Sequence, residues 1–87
     1  MVNGRQIAAA RTWLGISQAE LAKASKVATR TIAHFEGGGR MPHERTLEAL
    51  VVAMKKMGVE FLIEDGVGVG IRIEKAKAEE AGLRAVG

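Results

Sequence analysis

Four residues of the segment ATRTIAHFE, Thr29, Arg30, Ala33 and His34, carry the side chains with most to offer chemically. A guanidinium pairs bidentately with guanine, a threonine offers its hydroxyl to a base or its methyl to thymine, and an imidazole reaches a base or a phosphate. Catalysis is not what these types suggest. The chain has no cysteine, and its two histidines, His34 and His43, lie on separate elements with no ligand set around them. No serine–histidine–carboxylate arrangement or metal-ligand spacing is present, so no catalytic residue, metal or cofactor is assigned and an enzyme is not expected.

The elements that must position these residues lie within Gln18–Gly37. Leu21 centres one short amphipathic segment, while Ile32 and Phe35, three apart, mark the apolar face of a second. A period near 3.6 predicts helices in both. Ser17 with Glu20 three residues on is a capping box that starts the first. The linker Ala24-Ser25-Lys26-Val27 has room only for a tight turn, which makes a helix-turn-helix. Val27, Ile32 and Phe35 then face the core, and Thr29, Arg30, Ala33 and His34 face outward near the start of the second helix, about residues 28–36.

From Gly15 on, GISQAELAKASKVATRTIAHFEGG resembles the helix-turn-helix of phage repressors and Cro, the XRE family of transcriptional regulators. The matching features are G-x-S-Q, Glu-Leu-Ala in the first helix, Val27, Ile32, and Glu36 followed by glycine. Pro42 and Thr46-Leu47-x-x-Leu50 also fit, and the likeness spans about Gly4 to Gly58. It implies a mainly α, four- to five-helix repressor-like domain that binds double-stranded DNA through residues 28–36. It also implies that Gln18, at a helix start with Ser17, holds a phosphate, where unpaired N–H groups point outward. An arginine and a glutamate at the positions of Arg11 and Glu36 form an ion pair in this family, tying the first helix to the third. The alternative for Arg11 is a phosphate contact. The pair is preferred, because removing one partner strands the other charge.

Two positions differ from the family pattern. Lys26 stands where glycine is frequent, at a cost of about 1 kcal/mol if the residue is left-handed, and it offers a phosphate contact in return. Ala28 replaces the usual Ser or Thr cap, leaving no side-chain acceptor unless Thr29 takes that role.

Around this motif, Gly4–Leu14 is predicted as a first helix with Asn3 as its cap and Ile7, Ala10, Trp13 and Leu14 inward; Gly15 ends it. Gly37-Gly38-Gly39 reads as a flexible connection, followed by Arg40, and also His43 and Arg45, as phosphate contacts. Pro42 is expected to open a fourth helix, with Leu47, Leu50, Val51, Met54 and Met57 inward and Lys55, Lys56 and Gly58 as stop signals. After Gly58 the period changes to two. Val59, Phe61 and Ile63, the turn signal Asp65-Gly66, and Val67, Val69, Ile71 and Ile73 predict a C-terminal β-hairpin, its loop open to extension by the repeated glycines. Because an isolated hairpin is marginal, residues 59–74 are expected to build a homodimer; the alternative folds the hairpin onto helices one and four of its own chain. Residues 75–87 (KAKAEEAGLRAVG) read as a weakly held tail, with a short helix to about Ala81.

Composition agrees with this division into residues 1–58, 59–74 and 75–87. Eighty-seven residues make one small domain, and thirteen Lys/Arg against ten Asp/Glu give a net charge of +3, compatible with a polyanion partner. No apolar run approaches membrane-spanning length and no signal-peptide pattern follows Met1, so a soluble cytoplasmic protein is expected, without a membrane partner. The function expected is a sequence-specific regulator, a repressor by its resemblance, on a two-fold-related operator. Alternatives are an antitoxin that represses its own operon and binds a toxin, or a protein-interaction adaptor on the same fold.

Overall fold

The computed structural model describes residues 1–80, and the last seven positions of the expected tail lie outside the described residues. Five helices and a two-stranded antiparallel hairpin follow in the order α1 (Gly4–Leu14), α2 (Gln18–Ser25), α3 (Thr29–Glu36), α4 (Glu44–Lys56), β1 (Val59–Glu64), β2 (Val67–Ile73) and α5 (Lys75–Glu80). The mainly helical repressor-like class with a C-terminal hairpin is the fold observed.

Local signals set the helix ends. Asn3 and Ser17 each accept from the backbone N–H three residues on, and Gln6 and Glu20 reach back to complete two capping boxes. Gly15 ends α1 at φ 73°. Lys26 is left-handed, at φ 61°, so it carries the expected strain of about 1 kcal/mol for a residue with a Cβ. Pro42 does not open α4: His43 is the N-cap at ψ 151°, and Glu44 is the first helical residue. The residue after the proline still has to turn the chain, so Pro42 ends the loop instead.

One core joins the elements. Ile7, Leu21, Ile32, Leu50 and Met54 are fully buried at its centre, with Val27, Phe35 and Leu47 around them. On α4 the inward row includes Ala53, while Val51 and Met57 only pack against its margin, as Trp13 does. Gly4 lies where α1 crosses the end of α3. A Cβ there would stand 2.0 Å from the Phe35 carbonyl oxygen, so only glycine lets the two backbones approach this closely.

The hairpin turns on Asp65 and Gly66 alone, both at positive φ (51° and 78°), as a two-residue primed turn requires; the glycines do not lengthen the loop. Val59 pairs with Ile73 and Phe61 with Ile71, but Leu62 pairs with Gly70 and Ile63 with Gly68, which leaves Val69 as an extra residue in a β-bulge. The bulge corrects the simple alternation. Ile71 and Ile73 pack on the core with Val59 and Phe61, while Val69 in the bulge and Val67 beyond it are exposed to solvent.

The hairpin rests on its own chain. Its base lies on the core, and α1 and α4 support its two strands. In the turn and along β2 the alternate glycines Gly66, Gly68 and Gly70 offer their carbonyls to the N-terminal segment. The Met1 amino group donates to Gly66 O at 2.7 Å, and Asn3 Nδ2 to Gly68 O at 3.1 Å. Gln6 Nε2 donates to Gly70 O at 2.8 Å and across to Leu62 O at 2.9 Å. A Cβ on Gly68 would meet Gln6 Oε1 at 1.9 Å, which gives this glycine a packing reason. α5 docks by one small side chain: Ala78 is fully buried, and Glu74 N donates to Gly58 O at 2.7 Å.

Candidate nucleic-acid interface

The apolar spacing of α3 buries Ile32 and Phe35, so the remaining arc must face water. Thr29, Arg30, Ala33 and His34 are all exposed on it. Ala28 is the N-cap with no side-chain hydrogen bond, so Thr29 does not take over the capping role and its hydroxyl belongs to the outer face.

The glycines after α3 form a closed turn, not the flexible connection expected of them. Gly38, at φ 85°, donates to Phe35 O at 3.2 Å, and Gly39 to His34 O at 2.8 Å. This is the Schellman pattern, which satisfies the last carbonyls of the helix. It draws the following loop back over α3, so that Arg30, Thr31, His34, Arg40, Met41, Pro42 and His43 line one open groove of about 330 Å³. Arg40 and His43 thereby join the outer face of α3.

The other phosphate candidates lie elsewhere. Lys26 shares a separate patch with Arg45, Val52 and Lys56 on the α2–α4 side. Ser17 and Gln18 stand at the start of α2. Ser17 Oγ accepts from Glu20 N at 3.0 Å, and Ser17 N donates to Glu20 Oε1 at 2.9 Å. The Ser17 backbone N–H lowers the Glu20 pKa, and the Ser17 hydroxyl beside the carboxylate lowers it further.

The Gln18 side chain is engaged inside the chain, donating from Nε2 to Glu36 Oε1 at 3.0 Å. That carboxylate is the centre of a wider junction. Arg11 Nε and Nη2 donate to Glu36 Oε2 and Oε1, each at 3.0 Å, and Arg11 Nη1 donates to Ile16 O at 3.0 Å. The side chains are 21% and 7% exposed for Arg11 and Glu36. A bidentate pair this well covered orients both partners. The hydrogen bond to Glu36 raises the Arg11 pKa against the opposing effect of burial. The junction joins α1, the turn before α2, the start of α2 and the end of α3. It thus fixes the helix that carries the outer face.

Gln6 is the residue that sequence reasoning missed. It is the buried polar side chain of the core, 4% exposed, with every donor and acceptor used: Oε1 accepts from Asn3 N at 3.0 Å. The available signal was the glutamine three residues after Asn3, the second half of a capping box.

Among the described residues no helix is long and apolar enough to cross a membrane. No curated protein matches the chain. A family model, HTH_3, described as Helix-turn-helix, matches residues 7–58, well over half the sequence and all of α2, α3 and α4. The exposed face on α3, the tight turn before it and this match agree, and the chain belongs to the XRE-type helix-turn-helix family of DNA-binding regulators.

Proposed function

We propose that the protein is a sequence-specific transcriptional regulator that reads a two-fold-related operator as a homodimer joined through residues 59–74, with α3 in the major groove. The observation that carries this reading is the exposed polar face of α3 set against its buried Ile32 and Phe35. Arg30 reads a base edge bidentately, with Thr29, Ala33 and His34 beside it. Ser17, Gln18, Lys26 and Arg40 meet phosphates, which sets affinity and its salt dependence. Dimerisation draws support from the hairpin tip, where Leu62 (39%), Ile63 (42%), Val67 (59%) and Val69 (53%) are each exposed. Large apolar side chains left in water near one strand end are surface that pairing with a second copy would cover. A dimer places its two α3 helices about 34 Å apart, one helical turn of DNA.

The test is an electrophoretic mobility shift on the DNA just upstream of the protein's own gene, at two salt concentrations, with Arg30→Ala beside wild type. Wild type is expected to hold its site against competitor DNA and to weaken as salt rises. Arg30→Ala is expected to lose about 1–3 kcal/mol of base discrimination. Binding that is absent, or equal on any duplex, removes the reading. The apolar hairpin tip then favours the second one, an antitoxin or adaptor that docks a toxin or another protein there.

A further inference from the structure

The hairpin is held in two different ways along its length. Its base, Val59, Phe61, Ile71 and Ile73, is fixed by packing on the core. Its tip, from the Leu62–Gly70 pair through the bulge at Val69 to the turn, has no such packing, and Leu62, Ile63, Val67 and Val69 there are exposed. What holds the tip is polar: Met1 on Gly66, Asn3 on Gly68, and Gln6 on Leu62 and Gly70. All three donors belong to the start of α1 or the residues before it. Farther along the same helix, Arg11 grips Glu36 at the end of α3. Gln6 and Arg11 are five residues apart on one helix, a rigid span of about 7.5 Å at 1.5 Å per residue.

We infer that Gln6, assisted by Asn3, is a positioning residue that fixes the hairpin tip relative to the recognition helix and so sets the half-site spacing the dimer accepts. The inference rests on the reading of a homodimer joined through residues 59–74. A bulge bends a strand and breaks its ladder, so a tip without its clamp pivots there. Gln6 and Asn3 close this pivot from its two sides: the Gln6 amide bridges both strands at Leu62 and Gly70, the last pair before the register breaks, and Asn3 holds Gly68 just beyond it, where the missing side chain leaves space for Gln6. In a dimer joined at the tips, each pivot lies between the subunit contact and the DNA-reading face. A stiff joint concentrates the second α3 at one distance, whereas a loose joint spreads it over several.

The experiment uses the full chain with two variants, Gln6→Met, which removes both donors, and Asn3→Ser. Serine keeps the N-cap acceptor and loses only the bond to Gly68, so this second variant remains informative if the first does not fold. The probe is a set of duplexes carrying an inverted repeat of the half-site that wild type selects from random DNA, with centres about 9 to 13 base pairs apart. Sedimentation of each protein alone reads its oligomeric state. Wild type is expected to be a dimer that prefers one spacing by about tenfold. Each variant is expected to remain a dimer, bind the preferred spacing less tightly, and show only about a threefold range across spacings. A variant that weakens at every spacing equally, with the wild-type profile intact, overturns the inference and leaves the homodimer standing. A monomeric wild type, or one with no selected half-site or no preferred spacing, overturns the reading and the inference together, and is recognised because it is seen in the wild-type arm.

Discussion

Helix α1 has two joints, and they are built from different chemistry. At Arg11 a guanidinium meets the Glu36 carboxylate, with Gln18 and the Ile16 carbonyl completing the set. At Gln6 a neutral amide meets three backbone partners and no charge. The difference follows exposure. Arg11 retains contact with water, which lowers the desolvation cost of its charge, and its opposite partner repays much of the rest. Gln6 is almost completely enclosed and faces two carbonyl oxygens. An ion there has no counter-charge, so only a neutral donor is tolerated. The joint that carries α3 is thus ionic and the joint that carries the hairpin is neutral.

Breaking both joints at once should have the largest effect. Gly4→Ala puts a methyl group onto the Phe35 carbonyl, a backbone atom that cannot step aside without moving α1 off α3. The expected loss is about 3 kcal/mol or more, read as a fall in Tm and loss of cooperative unfolding; a Tm within a few degrees of wild type would show that the helices separate freely.

Breaking the ionic joint comes next. Arg11→Ala strands Glu36 and Gln18, for an expected loss of about 3 kcal/mol, the lower end for disrupting a buried pair because Arg11 is partly exposed. Tm and DNA binding should fall together. Unchanged stability with weaker binding would make Arg11 a phosphate contact instead.

Exchanging the chemistry at the neutral joint sharpens the contrast. Gln6→Glu keeps the shape and points a carboxylate at the carbonyls of Leu62 and Gly70, with an expected loss of about 2 kcal/mol at pH 7. Burial raises the pKa of such a carboxyl. A group raised in the folded state keeps its stability at low pH and loses it as pH rises. The variant's deficit in thermal unfolding should therefore shrink on acidification. A pH-independent deficit would mean that the amide serves mainly by shape.

The smallest effect belongs to a joint fully in water. Glu20 has its pKa lowered from 4.5 by Ser17. A group lowered in the folded state contributes above its unfolded value and loses that contribution as pH falls through its folded value. Wild type should lose a small part of its stability below about pH 4.5 that Glu20→Gln does not, because the amide keeps the capping bond without titrating. Parallel acid titrations of the two by circular dichroism would contradict this.

Much of this was legible in the sequence because it depends on neighbours a few residues apart. The cap at Asn3, the capping box at Ser17, the apolar spacing of Ile32 and Phe35, the stop at Gly15 and the Asp65-Gly66 turn are local rules, and the structure places each element where they point. The family and the outward face of α3 followed from the same residues. Where the reading departs, residue type alone did not fix the backbone geometry. Gly37-Gly38-Gly39 has the composition of a loose linker, yet its amides close onto α3. Pro42 marks a helix start only approximately, since His43 takes the cap.

The sequence by itself determined the helix-turn-helix, the exposed face of α3 and the presence of a hairpin, because periodicity, caps and turn residues act through bonds between near neighbours. Only the tertiary structure decided that Val69 is extruded, that Gln6 is the buried clamp on the hairpin, and that Val67 and Val69 face water. Those outcomes depend on where α1 and the alternate glycines of β2 meet in space, more than sixty residues apart in the chain, and no local pattern encodes that meeting.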